Sequence, residues 1–350
     1  MRAARIFEDL SLRLTDVETP APGPGEVLVR VHAAGVCGTD LHILDGMIKP
    51  DPYHMTLGHE AAGVVEAAGE GVGLRAGDRV AVYNKLFCGW CEQCLAGRPN
   101  ICDTEPGQLG FNMDGADAEY LVIAERNLVP VPAAVDFATA AVLTCAGMTA
   151  VHATRLSGLR LGQTAVVNGI GGVGILVTQA ARQAGARGIA VADSEQKRQL
   201  ALDHGATDGI VAAAPDDYGK LPAAVRELTG GRGADVFFEL VGTTGTMTAG
   251  IRCLAKGGRF VSTGYTDQVL SVHPIEFILS ETSLVATVAA TRQDLVDAVG
   301  LAASGAMTVP IAGRFPLDGV DSALTALRQR GVRGRQILEL VGTGPMSTGG

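Results

Sequence analysis

The sequence predicts an α/β chain of two domains, a strand-rich, partly closed β domain followed by a doubly wound parallel sheet. Three observations carry this. Cysteines and histidines at metal-ligand spacing lie between residues 37 and 102. A glycine-rich turn, Gly169-Ile170-Gly171-Gly172-Val173-Gly174, joins an apolar run of strand length to a helical stretch. The 350 residues, too many for one ordinary domain, are 47 % hydrophobic and 19 % charged, enough to build large cores.

In chain order, residues 26–32 alternate apolar and polar side chains after the turn Pro22-Gly23-Pro24-Gly25, which predicts a strand. Residues 58–69 form a glycine-punctuated β segment, and Gly77-Asp78 turns into a further strand at 79–82. From 147 to about 289, strand and helix patterns alternate. The strand 164–168, the glycine turn and the helix 175–184 match a dinucleotide fingerprint. Its glycines permit a tight turn and a close approach to a pyrophosphate at the helix N-terminus. The next strand ends at Asp193, where an acid accepts hydrogen bonds from the ribose hydroxyls and repels a 2′-phosphate. This predicts NAD over NADP, with Lys197 and Arg198 near enough to weaken the exclusion. No short-period repeat is present.

Cys88, Cys91, Cys94 and Cys102 read C-x2-C-x2-C-x7-C. Four thiolates so close can wrap one tetrahedral ion, usually zinc, and leave no open position, so this site is structural. Cys37 and His59 stand apart, each with a carboxylate close behind, Asp40 and Glu60. That pattern suits an open metal site whose ligands come from separate loops and are oriented by hydrogen-bonded partners. Taken singly, a cysteine is usually a small buried hydrophobe; the combination points to metal. His59 is expected to bond Asp40, which fixes its tautomer, and Glu60 to act as a partner group or a ligand that swaps with water. Cys253 has no neighbour at metal spacing and reads as core.

Seven cysteines, an odd number clustered at metal spacing, favour thiolate ligands over disulfides and a cytoplasmic setting. No secretory signal is expected at the start of the sequence, and no apolar run reads as long enough or pure enough to span a bilayer. A net charge of −9 argues against nucleic acid or anionic membrane as partner.

Cys37-Gly38-Thr39-Asp40-Leu41-His42, Gly58-His59-Glu60, the four-cysteine lobe and the dinucleotide turn together resemble the zinc-dependent medium-chain alcohol dehydrogenase family, over almost the whole chain. The resemblance implies a GroES-like catalytic domain over 1–146, carrying a structural zinc lobe at about 84–103. A Rossmann NAD-binding domain over 147–289 and a return to the first domain over 290–350 complete it. It further implies Cys37, His59 and Cys145 as ligands of a catalytic zinc, hence two zinc ions per chain. Thr39 and His42 would relay the proton of the bound alcohol to solvent. Val241 and Gly264 would pass near the nicotinamide and Arg335 would contact the pyrophosphate. Many polyol dehydrogenases of the family carry Glu at the third ligand position; Cys145 favours a simple alcohol or ketone.

The implied activity is hydride transfer between a primary or secondary alcohol and NAD, in a cleft between the domains. The substrate would be lined by Ile48, Asn84 and Leu86, with Leu109 and Phe111 nearby. Asn84 and Tyr83 make that lining polar, pointing to a secondary alcohol or small hydroxyketone. The alternatives are a polyol, butanediol or threonine dehydrogenase, a reductase of activated C=C bonds, or a silent cofactor binder. By analogy the chain forms a homodimer or homotetramer. The tail 344–350 is expected to fray.

Overall fold

The computed structural model describes residues 1–329 and 331–340, and the tail 344–350 lies outside them. The chain divides into two compact units. One comprises 1–88, 104–144 and the chain from 311; the other comprises 89–103 and 145–310.

The first unit is built on the strand Glu26–Val36, longer than its alternating pattern predicts. Val27, Val29 and Val31 point into the core, and beyond Ala33 both faces are covered. Its first half pairs antiparallel with Tyr120–Ala124 and its last residues with Arg335–Glu339, while Ala61–Ala68 runs along its other edge. The sheet runs in the order Ile311–Pro316, Arg335–Glu339, Glu26–Val36, Ala61–Ala68, Arg79–Val82, Leu128–Pro130. The strand that closes this unit therefore comes from the far end of the chain and lies beside the residues that lead into Cys37.

The second unit holds six parallel strands in the order Asp208–Val211, Arg187–Ala192, Thr164–Asn168, Ala234–Glu239, Leu254–Ser262, Ser283–Ala286. The chain lays down three strands in one direction from Thr164–Asn168, then returns and lays down three in the other. The order reverses between Thr164–Asn168 and Ala234–Glu239, the topological switch point where open α/β sheets bind ligands. Thr164–Asn168 is wholly buried, as a central parallel strand requires.

Two boundaries differ from those expected. Residues 290–310 pack in the second unit because Asp294, fully buried, ties the helix Arg292–Ala303 to His152 and Arg155 of the helix Met148–Ser157. The cysteine-lobe segment 89–103 also belongs there, where Asn100 Nδ2 donates to the Val288 carbonyl at 3.1 Å. The bilayer expectation needs a correction of another kind. The helical stretch Phe137–Ser157 has the length and hydropathy of a membrane span, but 78 % of its apolar window is buried in the fold, which makes it a core helix.

Candidate active site

Cys37 ends the long strand and caps the helix Gly38–Leu44. Its N–H donates to Asp40 Oδ2 at 2.8 Å, and Asp40 Oδ1 lies 3.1 Å from His59 Nδ1. One buried carboxylate thus orients two candidate ligands and leaves His59 Nε2 to face elsewhere. Gly58 precedes His59 at φ +90°, and a Cβ there would strike the Asp117 carboxylate, so the glycine of Gly58-His59-Glu60 is required by conformation and space.

Glu60 is fully buried. Its Oε1 accepts from Arg335 Nη2, and its Oε2 has no hydrogen-bond partner among the described residues. Cys145 lies in a π-helical turn, Leu143–Gly147, interrupting the Phe137–Ser157 helix; such turns concentrate at functional sites. Ligand atoms of Cys37, His59, Glu60 and Cys145 all lie within 4.8 Å of one another. Two thiols, an imidazole and a carboxylate oxygen lacking a partner suit a zinc ion.

Burial opposes a charge on His59, yet Asp40 and Cys37 hold its pKa well above the ordinary imidazole value. Burial pushes Glu60 up to about 7 against the pull of Arg335. Asp117, also buried, is raised well above the usual carboxylate range by burial and then by the Asp40 charge. Sequence reasoning did not single out Asp117; an acid between Ala116 and Ala118, just before the strand Tyr120–Ala124, was the available signal.

Thr39 and His42 are three apart on the helix Gly38–Leu44, so they share a face, and Thr39 Oγ1 is 3.7 Å from Cys37 Sγ. Ile48 and Phe111 pack on the cluster Ile6, Ile43, Met55 and Leu57, and the Phe111 ring meets His59 edge-on at 5.6 Å. Asn84, Tyr83, Leu86 and Leu109 are more deeply packed. Asn84 is 2 % exposed and its Nδ2 is spent on the carbonyls of His59 and Thr144, at 3.0 and 3.3 Å. It braces the backbone beside two ligands. Tyr83 and Leu109 are fully buried, and Leu86 packs on the main core.

In the lobe, Cys91 caps the helix Glu92–Leu95. Cys91 and Cys102 Sγ lie 3.9 Å apart, and all four lobe thiols fall within 4.8 Å of each other. A tetrahedral site with Zn–S near ~2.3 Å has sulfur–sulfur edges of about 3.8 Å. A disulfide would need about 2.05 Å.

In the second unit, Gly169 has φ +97° and leaves room for Val241, Gly174 packs on the Gly169 carbonyl, and Gly171 faces open space. With Gly172 and Val173 they form a turn that a pyrophosphate can approach. Asp193 stands exposed after the neighbouring strand, with Lys197 Nζ 2.8 Å from its Oδ2, while Arg198 is paired with Glu195. A Cβ on Gly264 would strike the backbone at Leu240–Val241, so Val241 and Gly264 lie side by side. Arg335, expected at the pyrophosphate, is 5 % exposed and bonded to Glu60.

A parallel-sheet dinucleotide fold together with an open cysteine–histidine site defines a metal-dependent oxidoreductase. Residues 23–133 match the alcohol dehydrogenase GroES-like domain and 172–304 the zinc-binding dehydrogenase domain. The chain is 31 % identical to an alcohol dehydrogenase of Geobacillus stearothermophilus, over 94 % of this chain and 96 % of that one. It is 33 % identical to an NAD-dependent alcohol dehydrogenase of Sulfurisphaera tokodaii, over 97 % and 99 %. The alcohol dehydrogenase structure from Aeropyrum pernix superposes with a TM-score of 0.89 at 32 % identity, covering 97 % of this chain and all of that one. The chain belongs to the zinc-dependent medium-chain alcohol dehydrogenase family.

Proposed function

We propose that the protein transfers hydride between a primary or secondary alcohol and NAD, with Cys37, His59 and Cys145 holding a catalytic zinc and Cys88, Cys91, Cys94 and Cys102 a structural one. The observation that carries this reading is the clustering of Cys37, His59, Glu60 and Cys145 around one point, with Asp40 orienting the first two. When bound, zinc supplies Lewis acidity toward the alcohol oxygen, and NAD supplies the hydride acceptor.

The chain's own residues do the rest. Asp40 holds the His59 ring in one orientation. Thr39 is placed to take the substrate proton, and His42, one turn further on, to pass it outward. Asp193 receives the adenosine ribose, with Arg198 flanking it. Gly169 to Gly174 admit the pyrophosphate, with Arg335 close to Glu60. Val241 and Gly264 border the nicotinamide.

Ile48 and Phe111, packed on the apolar cluster beside His59, favour substrates with an apolar chain, while Asn84 spends its amide nitrogen on the backbone of His59 and Thr144. A panel of short alkanols, secondary alcohols and polyols tests this; polyols turned over best would overturn it. Cys37→Ser and His59→Ala should each abolish turnover while NAD still binds. Unchanged turnover in either would overturn the catalytic assignment.

A homo-oligomer is supported by the edge strand Ser283–Ala286 and the exposed Ile278, Leu279 and Val288 in the same unit. Light scattering on purified protein distinguishes monomer, dimer and tetramer. A cytoplasmic setting is supported by cysteines disposed as ligands, none of them in a disulfide; cell fractionation tests it.

A further inference from the structure

Glu239 is fully buried at the carboxyl end of the strand Ala234–Glu239. Its carboxylate accepts four hydrogen bonds. Oε1 takes Val241 N at 2.9 Å, Gly242 N at 2.8 Å and Thr246 Oγ1 at 3.0 Å; Oε2 takes Asn168 Nδ2 at 2.9 Å. Asn168 is the last residue before Gly169 and is itself fully buried. Its own carbonyl accepts Leu240 N at 3.1 Å, and its Oδ1 accepts the Tyr218 hydroxyl at 3.4 Å. The Glu239 carbonyl takes the amides of Thr263 and Gly264, both at 2.9 Å. One residue therefore ties together three features of the switch point: the entry to the glycine turn, the loop 240–242 and the helix Thr244–Cys253.

A buried carboxylate costs several kcal/mol in desolvation unless its lone pairs are filled. What the carboxylate achieves is placement: it fixes Val241 above Gly169, where a glycine Cβ would collide with Val241 Cγ2.

We propose that Glu239, acting through Val241 and Asn168, is a positioning residue that sets the two walls of the dinucleotide crevice at the switch point. The inference rests on the NAD reading above. Asp193 follows the strand on one side of Thr164–Asn168, and Glu239 ends the strand on the other. With the adenosine ribose at Asp193 and the pyrophosphate at the turn, the remaining half must cross toward the Glu239 side.

The test is calorimetric binding of NAD and of AMP to the zinc-loaded protein. Glu239→Gln keeps one oxygen for Val241, Gly242 and Thr246 but sets an amide nitrogen against the Asn168 Nδ2 donor and removes the charge, which should weaken NAD by about tenfold. AMP binding should stay within about twofold. The double variant Glu239→Gln with Asn168→Asp exchanges amide and carboxylate, so the same bonds can re-form, and it should recover most of the NAD affinity. Equal losses for NAD and AMP, or no loss for either, would overturn the proposal, as would failure of the double variant to recover. Should the single variant not fold, Thr246→Val, which removes one of the four donors, carries the same comparison. Wild-type protein that binds AMP but no NAD would instead overturn the function proposed above.

Discussion

Glu60 and Arg335 form a buried ion pair in the first unit although 275 residues separate them along the chain. The arginine compensates a carboxylate that burial would otherwise neutralise. Arg335→Leu should therefore destabilise the protein by about 3–5 kcal/mol, the usual cost of leaving one member of a buried pair uncompensated. In Glu60→Gln with Arg335→Leu neither member of the pair carries a charge, and the loss should be smaller than in Arg335→Leu alone. Chemical denaturation of wild type, both singles and the double gives the coupling; additive losses would show that the pair does not act as one.

The four-cysteine lobe makes a separate prediction. Elemental analysis should find two zinc ions per chain in the wild type, and Cys94→Ser should lose one of them. The segment 88–102 should then become the first site cut in limited proteolysis, because a short helix such as Glu92–Leu95 has little else to hold it. One zinc in the wild type, or an uncut lobe in the variant, would contradict the assignment.

Cofactor choice turns on Asp193. Its carboxylate already carries the Lys197 ammonium at 2.8 Å. Asp193→Gly removes the repulsion toward a 2′-phosphate and releases a cation beside it. The ratio of kcat/KM for NADP over NAD should rise by at least about tenfold. Adding Lys197→Ala should take back part of that gain. An unchanged ratio in Asp193→Gly would remove the acid from its proposed role.

Cys253 supplies a pH prediction. Burial pushes its thiol up to about 12 from 9.0, against the pull of Arg226. Between those values the unfolded chain releases a proton that the folded chain keeps. Stability from this group is thus whole below pH 9.0 and falls as pH rises toward 12. The difference in denaturation midpoint between wild type and Cys253→Ala should shrink as pH rises above 9.0. A constant difference would show that the thiol does not titrate differently in the two states. In native protein Cys253 should also resist alkylation, as mapped by peptide mass.

The glycine turn, the lobe spacing and the Gly58-His59-Glu60 signature were legible because each is a local pattern with a local physical cause. The strand Glu26–Val36 was legible only to residue 32, where alternation stops because both faces are buried. The bond between Arg335 and Glu60, the brace that Asn84 gives to His59 and Thr144, and the buried Asp117 depend on contacts between distant segments, and no local spacing encodes them. The attachment of residues 290–310 to the second unit has the same kind of cause: Asp294 reads as an ordinary helix acid until His152 and Arg155 are seen against it.

The strand Arg335–Glu339, which lies beside the start of the metal loop, also dictates an order of events at the ribosome. Glu60 emerges early and must wait for its arginine through 275 further residues, roughly 14–55 s at common rates of synthesis. Over that interval the nascent first unit lacks an edge of its sheet and carries an unanswered acid, and by its end the whole of 145–310 has emerged and can fold. Truncation just before residue 335 should therefore strand a sticky, chaperone-dependent species, and any engineered fusion to this protein is safer at its front than within the strand Arg335–Glu339.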